Sequence, residues 1–130
     1  MSHTVKVEEV RQTVQRLIES GSAYDVDALE RIYHKELKII KIDERDNVTL
    51  INREENMAFF RSKLESEAEP LSREAGFLHA EADDRTGHVV VVRRMKLTDR
   101  FEKSVFSIRL VWEEGRWQVI DETAFVRPAE

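Results

Sequence analysis

Apolar residues recur at three- and four-residue steps through Val7, Val10, Val14, Leu17 and Ile18, the spacing of a single buried helical face. Gly21 follows as a natural C-terminal stop. Asp25 then reads as the N-cap of a short second helix running to about Tyr33, with Asp27 in its first turn and Tyr24 spaced to pack on Leu29. Residues 37–42 and 48–51 are rich in Ile, Leu and Val on either side of the polar segment 43–47, so they predict two short strands. Asn52 with Glu55 three residues on forms a capping box, and Met57, Phe59, Phe60 and Leu64 suit a third helix that ends before Pro70. From about Arg73 the period changes to two. Strands over 74–82 and 88–97 flank the turn 83–87, and a C-terminal hairpin joins 103–112 to 117–125 through Glu113, Glu114, Gly115 and Arg116.

Helices first and a meandering sheet afterwards is an α+β order. One apolar sheet face must be covered, and the three helices are the elements available to cover it, so the sheet is expected to curl around them. Val10, Val14, Leu17, Leu29, Phe60, Ile108, Leu110, Trp117 and Val119 should then be buried together. The same alternation sends Val90, Val92, Val105, Val111 and Ile120 to the opposite face, where an apolar patch predicts a homodimer.

Composition narrows the function. The 130 residues suit one domain, 1–130, and 41% hydrophobic with 36% charged residues suits a compact fold. With 26 acidic against 21 basic residues the net charge is -5, which favours neither nucleic acid nor anionic membrane as a partner. There is no Cys, and the 4 His are scattered, so no thiol chemistry, metal site or other cofactor is expected. The N-terminus lacks an apolar signal region, making a cytoplasmic location the expectation.

Within the final hairpin, Phe106, Ile108, Leu110 and Trp112 share one face, and Trp117, Val119, Asp121, Thr123 and Phe125 are expected to continue it. Asp121 would interrupt an apolar stripe, which makes it the leading catalytic candidate or one half of a buried pair with Arg93. Arg93 shares a strand face with Val91 and Met95, and if it points inward it suits an anionic ligand group. Trp117 and Thr123 are candidate ligand contacts on the same stripe. His79 and Tyr33 complete the set, His79 facing either the interior or solvent and Tyr33 serving as core or wall.

The order of elements resembles the nuclear transport factor 2-like superfamily, which includes SnoaL-like polyketide cyclases and ketosteroid isomerases. The resemblance rests on Tyr24-Asp25-Val-Asp27-Ala-Leu29 opening helix two, Asn52 opening helix three, and Gly115-Arg-Trp117-Gln-Val119 leading to Arg127-Pro128. It implies three helices on a strongly curved, mostly antiparallel sheet enclosing a cone-shaped pocket, and commonly a homodimer through the outer sheet face. The Tyr and two acidic groups of ketosteroid isomerases correspond to Leu17, Lys41 and either Ser107 or Ile108, so that chemistry is not implied. Where many SnoaL-like sequences carry two His on the final strand, this chain has Asp121 and Thr123. Two function classes follow: a module that binds a small-molecule ligand through Asp121 and Arg93, or a cofactor-independent acid/base enzyme (isomerase, cyclase or dehydratase type) in which Asp121 moves a proton.

Overall fold

The computed structural model describes residues 3–129. The helical pattern folds as α1 (His3–Ser22), α2 (Val26–Ile32) and α3 (Arg53–Glu65). Both expected caps form: Asp25 Oδ1 accepts from the Ala28 N–H at 3.2 Å, and Asn52 and Glu55 exchange bonds of 2.8 and 3.0 Å. These bonds satisfy amides that a helix leaves without an internal partner. The first helix does not stop at Gly21. It runs to Ser22, and the left-handed turn into α2 is made by Tyr24 at φ 56°. Burial of the Tyr24 ring, whose hydroxyl donates to the Glu69 carbonyl at 2.8 Å, fixes that conformation.

The strands are β1 (Tyr33–Ile42), β2 (Val48–Asn52), β3 (Ala75–Ala82), β4 (Thr86–Met95), β5 (Glu102–Glu113) and β6 (Arg116–Pro128), arranged β2-β1-β6-β5-β4-β3. β1 and β6 are parallel and every other neighbouring pair is antiparallel. Register slips at Tyr33/Lys38, Phe77/His79 and Arg109/Leu110 interrupt the ladders. Such bulges bend strands and add twist, which lets the sheet wrap the helices. All nine residues expected in the common core are buried.

Contact between α1 and the sheet is tight at Gly87 on β4. A Cβ there would lie 2.6 Å from Val10 Cγ1 and 3.3 Å from Val10 Cβ, and Val10 is fully buried. Gly87→Ala is therefore expected to push α1 outward and cost about 1–3 kcal/mol, read as a lower denaturation midpoint at unchanged slope. An unchanged midpoint would show that α1 gives way freely.

On the outer face, pairing lines residues up in rows across the strands. Val92, Val105, Phe125 and Ile42 form an apolar row, and Val90, Ser107, Thr123 and Ile40 a mixed one. The next row, His88, Arg109, Asp121 and Lys38, is charged.

Candidate functional site

Between the helices and the concave sheet face lies a cavity of ≈ 120 Å³. Its walls are mainly apolar, with Leu17 of α1, Phe60 of α3, Val91 of β4, and Phe106 and Ile108 of β5 among them. Four polar side chains on this wall matter chemically: Tyr33, Asn56, Arg93 and Glu122.

Their positions follow from local pattern. Val89, Val91, Arg93 and Met95 alternate inward along β4 and are all buried, so Arg93 continues an otherwise apolar stripe. Asn56 lies on the buried side of α3 with Met57 and Phe60, at helical spacing. Tyr33 opens β1 as the residue that ends α2. Glu122 reaches the interior through the bulge opposite Arg109/Leu110. Val119 pairs with Leu110 but Asp121 pairs with Arg109, which leaves Ile120 as the extra residue. A one-residue slip exchanges the faces of every residue beyond it. Trp117 and Val119 thus face inward before the bulge, and Glu122, Ala124 and Val126 after it.

The expected stripe is corrected at that point. Asp121 lies on the outer face, where Arg109 Nε donates to its two oxygens at 3.0 and 2.9 Å and Arg109 Nη2 makes a further contact. It forms neither the cavity wall nor a pair with Arg93. Thr123 also faces outward, between Ile40 and Ser107. Trp117 is buried in the core and does not form part of the cavity wall, its indole N–H donating to Glu9 Oε1 at 2.9 Å. His79 is on the outer surface, with Nε2 3.4 Å from Glu81 Oε1. His88 lies 3.4 Å from the same oxygen and 2.7 Å from Ser107 Oγ. Of the six residues singled out in sequence, the structure brings Arg93 and Tyr33 together in the cavity and disperses the other four. Asp121→Asn should change stability by less than about 1 kcal/mol, since the Arg109 partner is exposed and water screens the pair. A large drop in melting temperature would contradict that placement.

Electrostatics single out Glu122. Burial raises its carboxyl to about 7, partly offset by hydrogen bonding to Tyr33 and by the positive charge of Arg93, while Asp121 pushes it further up. Near neutral pH, therefore, it both holds and releases a proton. Burial, and next the charge of Glu122, push the Tyr33 hydroxyl well above its ordinary value, so it stays a neutral phenol. Burial lowers Arg93 from its ordinary value while Glu122 and Tyr33 act the other way. Arg93 Nη2 donates to Ser22 Oγ at 3.2 Å and to the Ser72 carbonyl at 2.6 Å. Arg93 Nε, Asn56 Nδ2 and Glu122 Oε2 are buried without a protein partner. Lys41 and Glu102 also line the cavity, and Arg100 joins Glu102 at 2.8 Å to Glu44 at 2.7 Å. Among the described residues, no group of three or more His, Asp or Glu is arranged to hold a metal ion.

The profile of the SnoaL-like domain matches residues 10–123. The chain belongs to the SnoaL-like family. Its helices and curled sheet are also those of solved nuclear transport factor 2-like proteins. A protein of unknown function from Silicibacter pomeroyi DSS-3 superposes with TM-score 0.76 at 14% identity, over 98% of this chain and 100% of that one. Another of unknown function, from Shewanella baltica OS155, gives 0.74 at 13% identity over 99% of each chain. A third, from Cytophaga hutchinsonii ATCC 33406, gives 0.71 at 16% identity over 96% and 98%. At such identities the likeness is one of fold. No curated protein matches the sequence. Leu17, Lys41 and Ile108 of this SnoaL-like domain line the cavity, while Ser107 lies on the outer row between Val90 and Thr123. Glu122 and Tyr33 place a carboxyl and a phenol on the same wall. No described helix is long and apolar enough to cross a membrane.

Proposed function

We propose that this SnoaL-like domain binds a small, mostly apolar molecule in the cavity, with the molecule's polar end held by Arg93, Tyr33, Asn56 and Glu122. The observation that carries this reading is the set of buried polar atoms without protein partners on a mainly apolar wall. Buried polar groups are costly unless bonded, so such a set favours a complementary guest or ordered water that a guest replaces. Size restricts the guest. A cavity of ≈ 120 Å³ is somewhat smaller than the roughly 150 Å³ that accommodates benzene, which limits the guest to about benzene's size, roughly six or seven non-hydrogen atoms. Titration with 4-methylpentan-2-one, followed by amide NMR, should shift resonances of cavity residues such as Gly21, Phe60 and Ser104. Shifts spread over the surface, or none at millimolar ligand, would remove this reading.

The Glu122 carboxyl at about 7 supports a second reading, in which Glu122 takes a proton from carbon beside a bound carbonyl while Tyr33 donates a hydrogen bond. The same ketone in D2O would then exchange its α-protons faster with the protein than in buffer, and Glu122→Gln should slow this by about 10²-fold or more. Exchange at the buffer rate would exclude the catalytic reading and leave the binding one.

The apolar outer row of Val92, Val105, Phe125 and Ile42 supports a homodimer through this sheet face, with Phe125 half exposed in the single chain. Sedimentation at micromolar concentration should find a dimer that Phe125→Glu converts to monomer. A monomeric parent protein would dispose of the proposal.

A further inference from the structure

The three unpartnered atoms specify the guest's polar group. Arg93 Nε and Asn56 Nδ2 are donors, and Glu122 Oε2 is an acceptor when ionised. All three residues are more than nine-tenths buried, and all line one cavity. The Tyr33 hydroxyl approaches both Asn56 and Glu122 without closing a hydrogen bond to Asn56 Nδ2 or Glu122 Oε2, and Glu122 and Arg93 feel each other's charge, so the polar groups converge. Arg93 and Glu122 nevertheless form no ion pair within 4.0 Å among the described residues. A guest that displaces solvent here must accept hydrogen bonds on one side and donate on the other.

Four small functional groups can be compared on that requirement. A ketone accepts from Arg93 and Asn56 but leaves Glu122 Oε2 bare. A carboxylate accepts equally well but sets a second anion against Glu122, which must then take up a proton. An ammonium group suits Glu122, but it faces the Arg93 charge and gives Asn56 nothing to donate to. A carboxamide has a carbonyl oxygen for the two donors and an N–H for Glu122, and being neutral it leaves the buried cation and anion balanced. Resting on the binding reading above, we propose that the cavity is selective for small aliphatic carboxamides, whose carbonyl oxygen accepts from Arg93 Nε and Asn56 Nδ2 while the amide N–H donates to Glu122 Oε2. Phe60, Phe106, Ile108 and Val126 supply the apolar surroundings for a short branched chain.

Three isosteres separate the possibilities: 3-methylbutanamide, 3-methylbutanoate and 4-methylpentan-2-one differ only in carrying NH2, O⁻ or CH3 on the carbonyl. Their dissociation constants would be measured by NMR titration of the full chain at pH 8, where Glu122 is largely ionised. The amide should bind at least about tenfold more tightly than either isostere, as expected when one buried polar group is left unpaired. That preference should vanish in Glu122→Met, which keeps the side-chain length, whereas Asn56→Leu removes a donor that amide and ketone share and should weaken both alike, leaving the preference in place. Equal binding of amide and ketone, or tightest binding of the carboxylate, would overturn amide selectivity while leaving the cavity a binding site. If none of the three perturbs cavity residues, the binding reading falls and amide selectivity falls with it.

Discussion

Glu122→Gln is expected to make the protein more stable above pH 7, by about 3 kcal/mol, and to leave its stability near that of the parent at pH 4. Burial is the dominant cause. It holds the folded-state carboxyl at about 7 against 4.5 for the ordinary group, so between these values the folded chain retains a proton that the unfolded chain releases. The parent protein therefore loses stability as pH rises through this window, and the full loss of about 3 kcal/mol is reached above pH 7. Gln cannot titrate and carries no such slope. Groups that act on Glu122 are Tyr33 from β1, Arg93 from β4 and Asp121 on its own strand, with Lys41 and Glu102 also on the cavity wall. Asp43 and Glu44 have carboxyls below their ordinary values, Glu44 at about 2 through Arg100, so their contribution is present above pH 4.5 and lost in acid. They occur in both proteins and cancel in the difference. Denaturant unfolding at pH 4, 6 and 8 measures that difference, and a constant offset across the three values would refute the buried, titrating Glu122. A carboxylate kept at such a cost is what a functional site would retain, since its proton is then available at neutral pH.

The fold was legible because its signals are periodic and redundant. Helical spacing in α1, the two caps at Asp25 and Asn52, and alternation in β4 and β5 each specify an element independently, and they agree on one interior. The candidate site was only half legible. Arg93 sits on a regular strand, where it shares a face with Val91 and Met95, and Tyr33 reads as core at the end of the second helix, whereas Glu122 lies beyond a bulge that the residues Trp117 to Thr123 do not announce. Asp121 and Glu122 are adjacent acids, and a single inserted residue decides which of them is buried. A usable signal lay in β5: Ser104, Phe106 and Ile108 face inward, and counting their partners across the sheet gives Val126, Ala124 and Glu122. Asn56 was readable as a polar residue on the apolar side of α3, between Arg53 and Phe60 at helical steps. What the sequence could not convey is that these groups would meet, because α3, β1, β4 and β6 are brought together only by the curl of the sheet.

Arg93→Met tests how those groups depend on one another. The substitution keeps much of the apolar stem but removes the donor to Ser22 Oγ and the Ser72 carbonyl, which ties the end of α1 to the segment before β3. Losing bonds from a charged donor should cost about 2 kcal/mol at pH 5, where Glu122 is protonated in either protein. At pH 8 a second effect is added. Without the guanidinium the folded-state carboxyl of Glu122 moves above about 7, and the extra loss is bounded because the group can protonate instead of remaining a buried anion. One pH unit above the parent value, that bound is about 1 kcal/mol, giving roughly 3 kcal/mol in all. The double variant Arg93→Met with Glu122→Gln should lose only the pH-independent part. A coupling between the two sites that appears at pH 8 and vanishes at pH 5 is the expected result of the double-mutant cycle. Equal coupling at both pH values would mean that the two residues act through packing, and that Arg93 does not set the proton affinity of the cavity acid.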